Sequence, residues 1–270
     1  MTTADRPPAG LLAQSILAAL LATATSLAGM FWPPAYAHET VAWAVQGVGQ
    51  DIANRPVALV LVACAVLLRG RASLATLCVW LGCLLYFVYA FAIYAFGVHF
   101  GALFLAYVAV LGLSFHAFAG TLAALDVAAV VVPLHDHPGR TGAGYLLIAI
   151  GVLFAGLWLG EDVPHVLANT PPPGLAEAGL LTNPVHVLDL AIVLPAMIVA
   201  GVQMKRQRPW GLFMAPVLLV FTVTMGVAIL ALFAMSAAHG LPVAVPALGA
   251  VAAIVLLSGG AAVRLLSPRA

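Results

Sequence analysis

The feature that most constrains this chain is its apolarity: stretches of about twenty residues almost free of charge recur along its whole length. A helix rises about 1.5 Å per residue, so roughly 20 apolar residues cross a hydrocarbon layer of about 30 Å. Cutting the 270 residues at Pro, Gly and charge clusters leaves eight such runs, at 9–31, 54–69, 72–97, 100–125, 141–160, 184–204, 210–236 and 243–266. The second is the shortest, and the pattern allows it to begin upstream near Val48. The expected fold is therefore all-α: a polytopic helical bundle of eight transmembrane spans, forming one domain over 1–270. Segments 32–53 and 161–183 are expected as outer loops, and 126–140 as a smaller third connection.

Composition agrees. Asp, Glu, Lys and Arg make up 7% of residues against 64% hydrophobic, where soluble domains carry about 25% charge. That excludes a soluble globular enzyme and a disordered chain. Cys64, Cys78 and Cys83 all sit in apolar stretches without a CxxC spacing, so neither a disulfide framework nor a zinc knuckle is legible. The net charge of +1 holds no basic run suited to nucleic acid. The partner this composition implies is the lipid bilayer.

Lys and Arg near span ends favour the cytoplasm. With both termini cytoplasmic, Arg6, Arg69, Arg71, Arg140, Lys205, Arg206, Arg208, Arg264 and Arg269 fall inside, nine of the ten basic residues. Only Arg55 falls outside. Glu39, Asp51, Glu161, Asp162, Glu177 and Asp189, six of the nine acids, fall on or near the outer side. Residues 1–37 also carry the outline of a leader, with Arg6, an apolar stretch and Ala35-Tyr36-Ala37. The stretch exceeds the usual 7–15 residues of such leaders, and Pro33-Pro34 suits the end of a retained helix. The long apolar stretch around His116 and Asp126 reads as one span plus a helical extension along the inner surface. Pro133 and the His135-Asp136-His137-Pro138-Gly139 turn end it. No internal repeat is apparent.

Ionisable groups inside a membrane are costly, so each marks a candidate site. Around the second outer loop stand Glu161, Asp162 and His165, and then Asn183-Pro184-Val185-His186-Val187-Leu188-Asp189. Asn183 is placed to cap a helix with Pro184 at its first position. His186 and Asp189, three apart, then share a face. The first turn disfavours imidazolium, and a neutral imidazole binds metal or accepts a proton. His186, Asp189, Glu161, Asp162 and His165 are thus the candidate ion, proton or divalent-metal site. The alternative is that these groups hydrogen-bond locally at the interface. Asp51 and Arg55, four apart, are expected to pair; the alternative has Arg55 contact an anion or meet Asp189 or Glu161. His116, deep in the fourth span, is expected to bond a helix carbonyl. It has no second histidine at its depth, since His99 is 17 residues and about 25 Å away, so haem is not expected. Tyr86, Tyr89 and Tyr94 lie near one face of the third span and are candidates to line a polar cavity.

The stretches Gly49-Gln50-Asp51, Leu85–Gly97 and Leu181–Asp189 resemble a group of uncharacterised bacterial multi-span inner-membrane proteins. The resemblance implies a multi-pass protein of the inner (plasma) membrane and brings no catalytic residues with it. No Walker loop, GxSxG elbow or HExxH helix is present, so enzymatic activity has no motif behind it. The leading functional expectation is transport of a small solute, ion or proton through a polar outer vestibule. A metal-handling protein or metal-dependent enzyme is the first alternative. A structural or accessory subunit is the second.

Overall fold

The computed structural model describes residues 6–71 and 73–267. Arg269 and position 72, at the expected start of the third span, lie outside them. Eight long apolar helices cross the bundle: α1 (Ala9–Phe31), α2 (Val41–Gly70), α3 (Leu74–Gly97), α4 (Phe104–Ala124), α5 (Arg140–Ala168), α6 (Pro184–Lys205), α7 (Pro209–Ala238) and α8 (Val245–Leu266). No strand occurs among the described residues. The chain is an integral membrane protein with eight spans, as expected.

Local chemistry fixes the helix starts. Thr40 caps α2 by accepting from the Trp43 N–H, and Ser73 caps α3 by accepting from Thr76. Asn183 accepts from the N–H groups of Val185 and His186, with Pro184 in the first turn of α6, which satisfies donors that a helix start otherwise leaves open. Asn169, in the left-handed region at φ 52°, stops α5.

Two expected loops are shorter than the sequence suggested. Residues 41–53 belong to α2, so the first connection is only 32–40, with a 3-10 turn at Pro33–Tyr36. The polar residues Gln46, Gln50 and Asp51 interrupted the hydropathy, yet they turn toward other helices rather than water. Likewise α5 continues through Pro164 to Ala168, leaving 169–183 with a short helix at Pro173–Ala178. After α4 the chain breaks at Asp126, whose carboxylate accepts from the Ala129 N–H. The short turns Val127–Val130 and Val132–Leu134 follow in place of a continuous extension.

Helix α3 is the axis of the bundle. In its apolar window 72% of residues are buried, against 17% in α8, and Trp80, Tyr86, Phe87 and Phe91 are wholly enclosed. Helix α7 packs on α2, α3, α6 and α8, while α1 packs on α2 and α4 and α5 on α6. At Gly49 the α2 backbone meets α7 so closely that an added Cβ would lie 2.7 Å from Leu232 Cα; small residues permit such approach between membrane helices.

Apart from Arg55, the described basic residues gather at one end. There Arg6 donates to the Arg69 carbonyl (3.1 Å), and Lys205 lies over the Tyr145 ring at 3.7 Å. The opposite end is acidic. Its connections are clasped by Glu39, which accepts from the His99 N–H (2.8 Å) and meets His99 Nδ1 at 3.0 Å.

Candidate functional site

Helix α6 is not regular. Residues Asp189–Val193 form a π-turn in which the Leu194 N–H donates to the Asp189 carbonyl, five residues back. Pro195 explains it: proline has no N–H for the Ala191 carbonyl, and its ring crowds that oxygen. Single π-turns inside α-helices concentrate at functional sites. This one carries the half-buried Asp189, whose carboxylate is held from two other helices. Tyr89 of α3 donates to Oδ1 (3.0 Å), and Trp158 Nε1 of α5 donates to Oδ2 (2.8 Å). Both donors are neutral.

Asp189 lines a cavity of about 560 Å³ in the acidic half of the bundle, bounded by α2, α3, α5, α6, α7 and α8. Its wall is mostly aliphatic and aromatic, with Gln46, Gln50, Thr222 and Glu161 as further polar members. Behind the wall lies a second carboxylate. Asp51 is 2% exposed; Tyr36 donates to its Oδ2 (2.7 Å) and Tyr94 to its Oδ1 (2.8 Å). Both tyrosines also face the cavity. Burial pushes the Tyr36 phenol well above its ordinary range, so it stays a donor at physiological pH. Space for Asp51 comes from Gly29 of α1, where any Cβ would collide with Oδ2. The polar chain continues along α2: Tyr86 donates to Asn54 Oδ1 (2.8 Å), Gln50 Nε2 donates to the Tyr86 oxygen (2.7 Å), and Asn54 Nδ2 donates to Ser26 Oγ (3.1 Å).

The residues singled out in sequence divide between these environments. His186 is buried, stacks on Trp158 (4.3 Å between centroids) and meets Asp162 through Nδ1 at 3.0 Å. Asp189 stands one helical turn below it. Glu161 is exposed and reaches the cavity wall, whereas His165 turns to Thr170 Oγ1 (3.4 Å) over an open groove. The five therefore do not form one ligand set. Among the described residues no three of His, Cys, Asp and Glu gather as a metal site. The expected pairing of Arg55 is also corrected, since no carboxylate lies within 4 Å of it among the described residues and its Nε is buried without a partner. Asp51 is committed to two phenols instead. His116 is exposed on α4 and bonds the Gly112 carbonyl through Nδ1 (2.7 Å), as expected.

Trp158 and Tyr36 were not legible as site residues. Tryptophan at a span end reads as an interfacial anchor, and Tyr36 stands in a connection. The one available signal was Gln50-Asp51 with Asn54, polar groups on adjoining turns of a single helix.

Fold and site together define a class: an eight-helix membrane protein with an acid-bearing apolar cavity. No family model, curated protein or solved structure matches the chain.

Proposed function

We propose that the protein is a membrane carrier for a small, largely apolar solute, which occupies the cavity with Asp189 as its polar contact. The observation that carries this reading is a carboxylate, held by neutral donors alone, facing a cavity of about 560 Å³ within the spans. That volume lies in the range of small-molecule sites, about 300–1,000 Å³, which are mostly apolar with few polar groups. An ionisable group inside a span is expensive, and a role in substrate contact accounts for its cost. The π-turn supports the same reading, because interrupted helices recur at the binding sites of transporters. We place the basic end in the cytoplasm by the positive-inside rule. The bacterial inner membrane is our assignment from the resemblance carried by Gly49-Gln50-Asp51, Leu85–Gly97 and Leu181–Asp189. A metal-centred role gains no support from the donor arrangement.

The test needs no knowledge of the solute. Met225, half-buried on the cavity wall, is changed to Cys after Cys64, Cys78 and Cys83 are replaced by Ala. An impermeant maleimide is then applied to vesicles of each orientation. A carrier opens the cavity to both sides in turn, so labelling is expected from either face. Labelling from neither face would leave Asp189 as a helix tie in an accessory subunit and sink the carrier reading.

A further inference from the structure

We propose that the cavity binds an amphipathic organic cation, a quaternary or protonated ammonium group carried on an apolar body. The inference rests on the carrier reading only in taking this cavity as the site, and it names the substrate class. The charges of the wall are one-sided. Asp189 and Glu161 line it, and no Lys, Arg or His does. Asp51 adds a third carboxylate behind Tyr36 and Tyr94. Neither lining carboxylate is matched by an ion pair within 4 Å among the described residues. An anion is repelled by such a wall, and a neutral solute leaves Asp189 with neutral hydrogen-bond donors and no ion pair.

The rest of the wall decides between kinds of cation. An inorganic ion needs about six or more oxygen donors to replace its water shell, and this wall is overwhelmingly hydrocarbon. It is instead rich in aromatic rings, among them Tyr36, Trp43, Tyr89, Phe154, Trp158 and Phe221. Aromatic rings attract ammonium groups through their negative faces, most strongly when water is excluded, and cages of such rings are how proteins hold quaternary ammonium. Trp158 and Tyr89 are also the two donors on Asp189, so the carboxylate and the rings converge on one place. The aliphatic remainder of the wall, from Ile93 and Val193 to Ile229 and Val251, receives the apolar body.

Equilibrium dialysis of the purified full chain in lipid nanodiscs tests this, with protein-free discs subtracted. Tetraphenylphosphonium and benzyltrimethylammonium are the probes, and tetraphenylborate is the anion matched in size to the first. Saturable binding of both cations and none of the borate is expected. Asp189→Asn should weaken phosphonium binding by about 30- to 1,000-fold, the range for removing one charge near 4 Å in a partly screened site. The Asn amide remains satisfied there: its oxygen accepts from Trp158, and its nitrogen donates to the Tyr89 hydroxyl, which both donates and accepts. Should that variant fail to fold, Glu161→Gln on the exposed rim gives a second reading, a loss of about 2- to 5-fold. Borate binding as tightly as phosphonium, phosphonium affinity within threefold of wild type in Asp189→Asn, or, where only Glu161→Gln folds, an affinity there unchanged from wild type, overturns the proposal. The two readings fail separately. Phosphonium binding without maleimide labelling keeps the cation class and sinks carriage, whereas labelling from both faces without phosphonium binding overturns the cation class alone.

Discussion

Replacing Tyr94 by Phe removes one hydroxyl and little else, which makes it a sharp probe of the buried Asp51 network. The ring stays, and with it the stack on Tyr107 at 4.9 Å between centroids. What disappears is the donor to Asp51 Oδ1 at 2.8 Å, together with longer contacts to the Gly47 carbonyl at 3.4 Å and from Asn54 Nδ2, which donates to the hydroxyl at 3.5 Å. Hydrogen bonds between membrane helices average only about 0.6 kcal/mol. A bond to a charged acceptor is worth about 1.5–3 kcal/mol, and Asp51 has just one other phenol, that of Tyr36. The larger figure should win, because Asp51 is 2% exposed and water cannot replace the lost donor. In the Asp51→Asn background the same Tyr94→Phe change removes a neutral bond, about 0.5–1.5 kcal/mol. The double-mutant cycle should then return a coupling of about 1 kcal/mol or more. Reversible unfolding in detergent, followed by tryptophan emission for all four proteins, supplies the cycle. A single-variant cost below about 0.5 kcal/mol, with no coupling, would refute the reasoning. Asp51 would then be held by backbone packing, with the phenols incidental.

Three further outcomes are expected. Gly49→Ala should cost about 1–3 kcal/mol by forcing α2 from the α7 backbone near Leu232, whereas Gly112→Ala inside α4, with nothing within 4 Å of the new methyl, should not lower the unfolding temperature and should tend to raise it. Pro195→Ala restores an N–H and lets the π-turn at Asp189–Val193 relax into α-helix; that rotates Asp189 by about 100° relative to the rest of α6, so phosphonium binding in nanodiscs should fall at least about tenfold. A reporter fused to the C-terminus should be active in the cytoplasm, and a periplasmic signal would invert the orientation read from the basic residues.

The eight spans were legible because membrane insertion reads the same quantity a hydropathy count does, free energy summed over about twenty residues. The same sum hid the start of α2. Gln46, Gln50, Asp51 and Asn54 depress it as loop residues would, and only tertiary partners distinguish a polar group facing a neighbouring helix from one facing water. His186 and Asp189 could be placed on one face because their spacing is local. Their partners could not: Trp158 and Tyr89 lie 31 and 100 positions from Asp189, separations that no periodicity encodes. The reading of Asp51 with Arg55 failed for the complementary reason. Four-residue spacing makes a pair possible, but Tyr36 and Tyr94 reach the carboxylate from outside the helix.

The loosely held α8 bears on how the molecule is made. This helix contributes Ala247, Val251 and Ile254 to the cavity wall, yet it is the least buried span and follows the other seven in the chain. During synthesis the cavity therefore lacks this part of its wall until α8 is in place. Docking of α8 against α7 and α5 is thus the step that closes this side of the cavity.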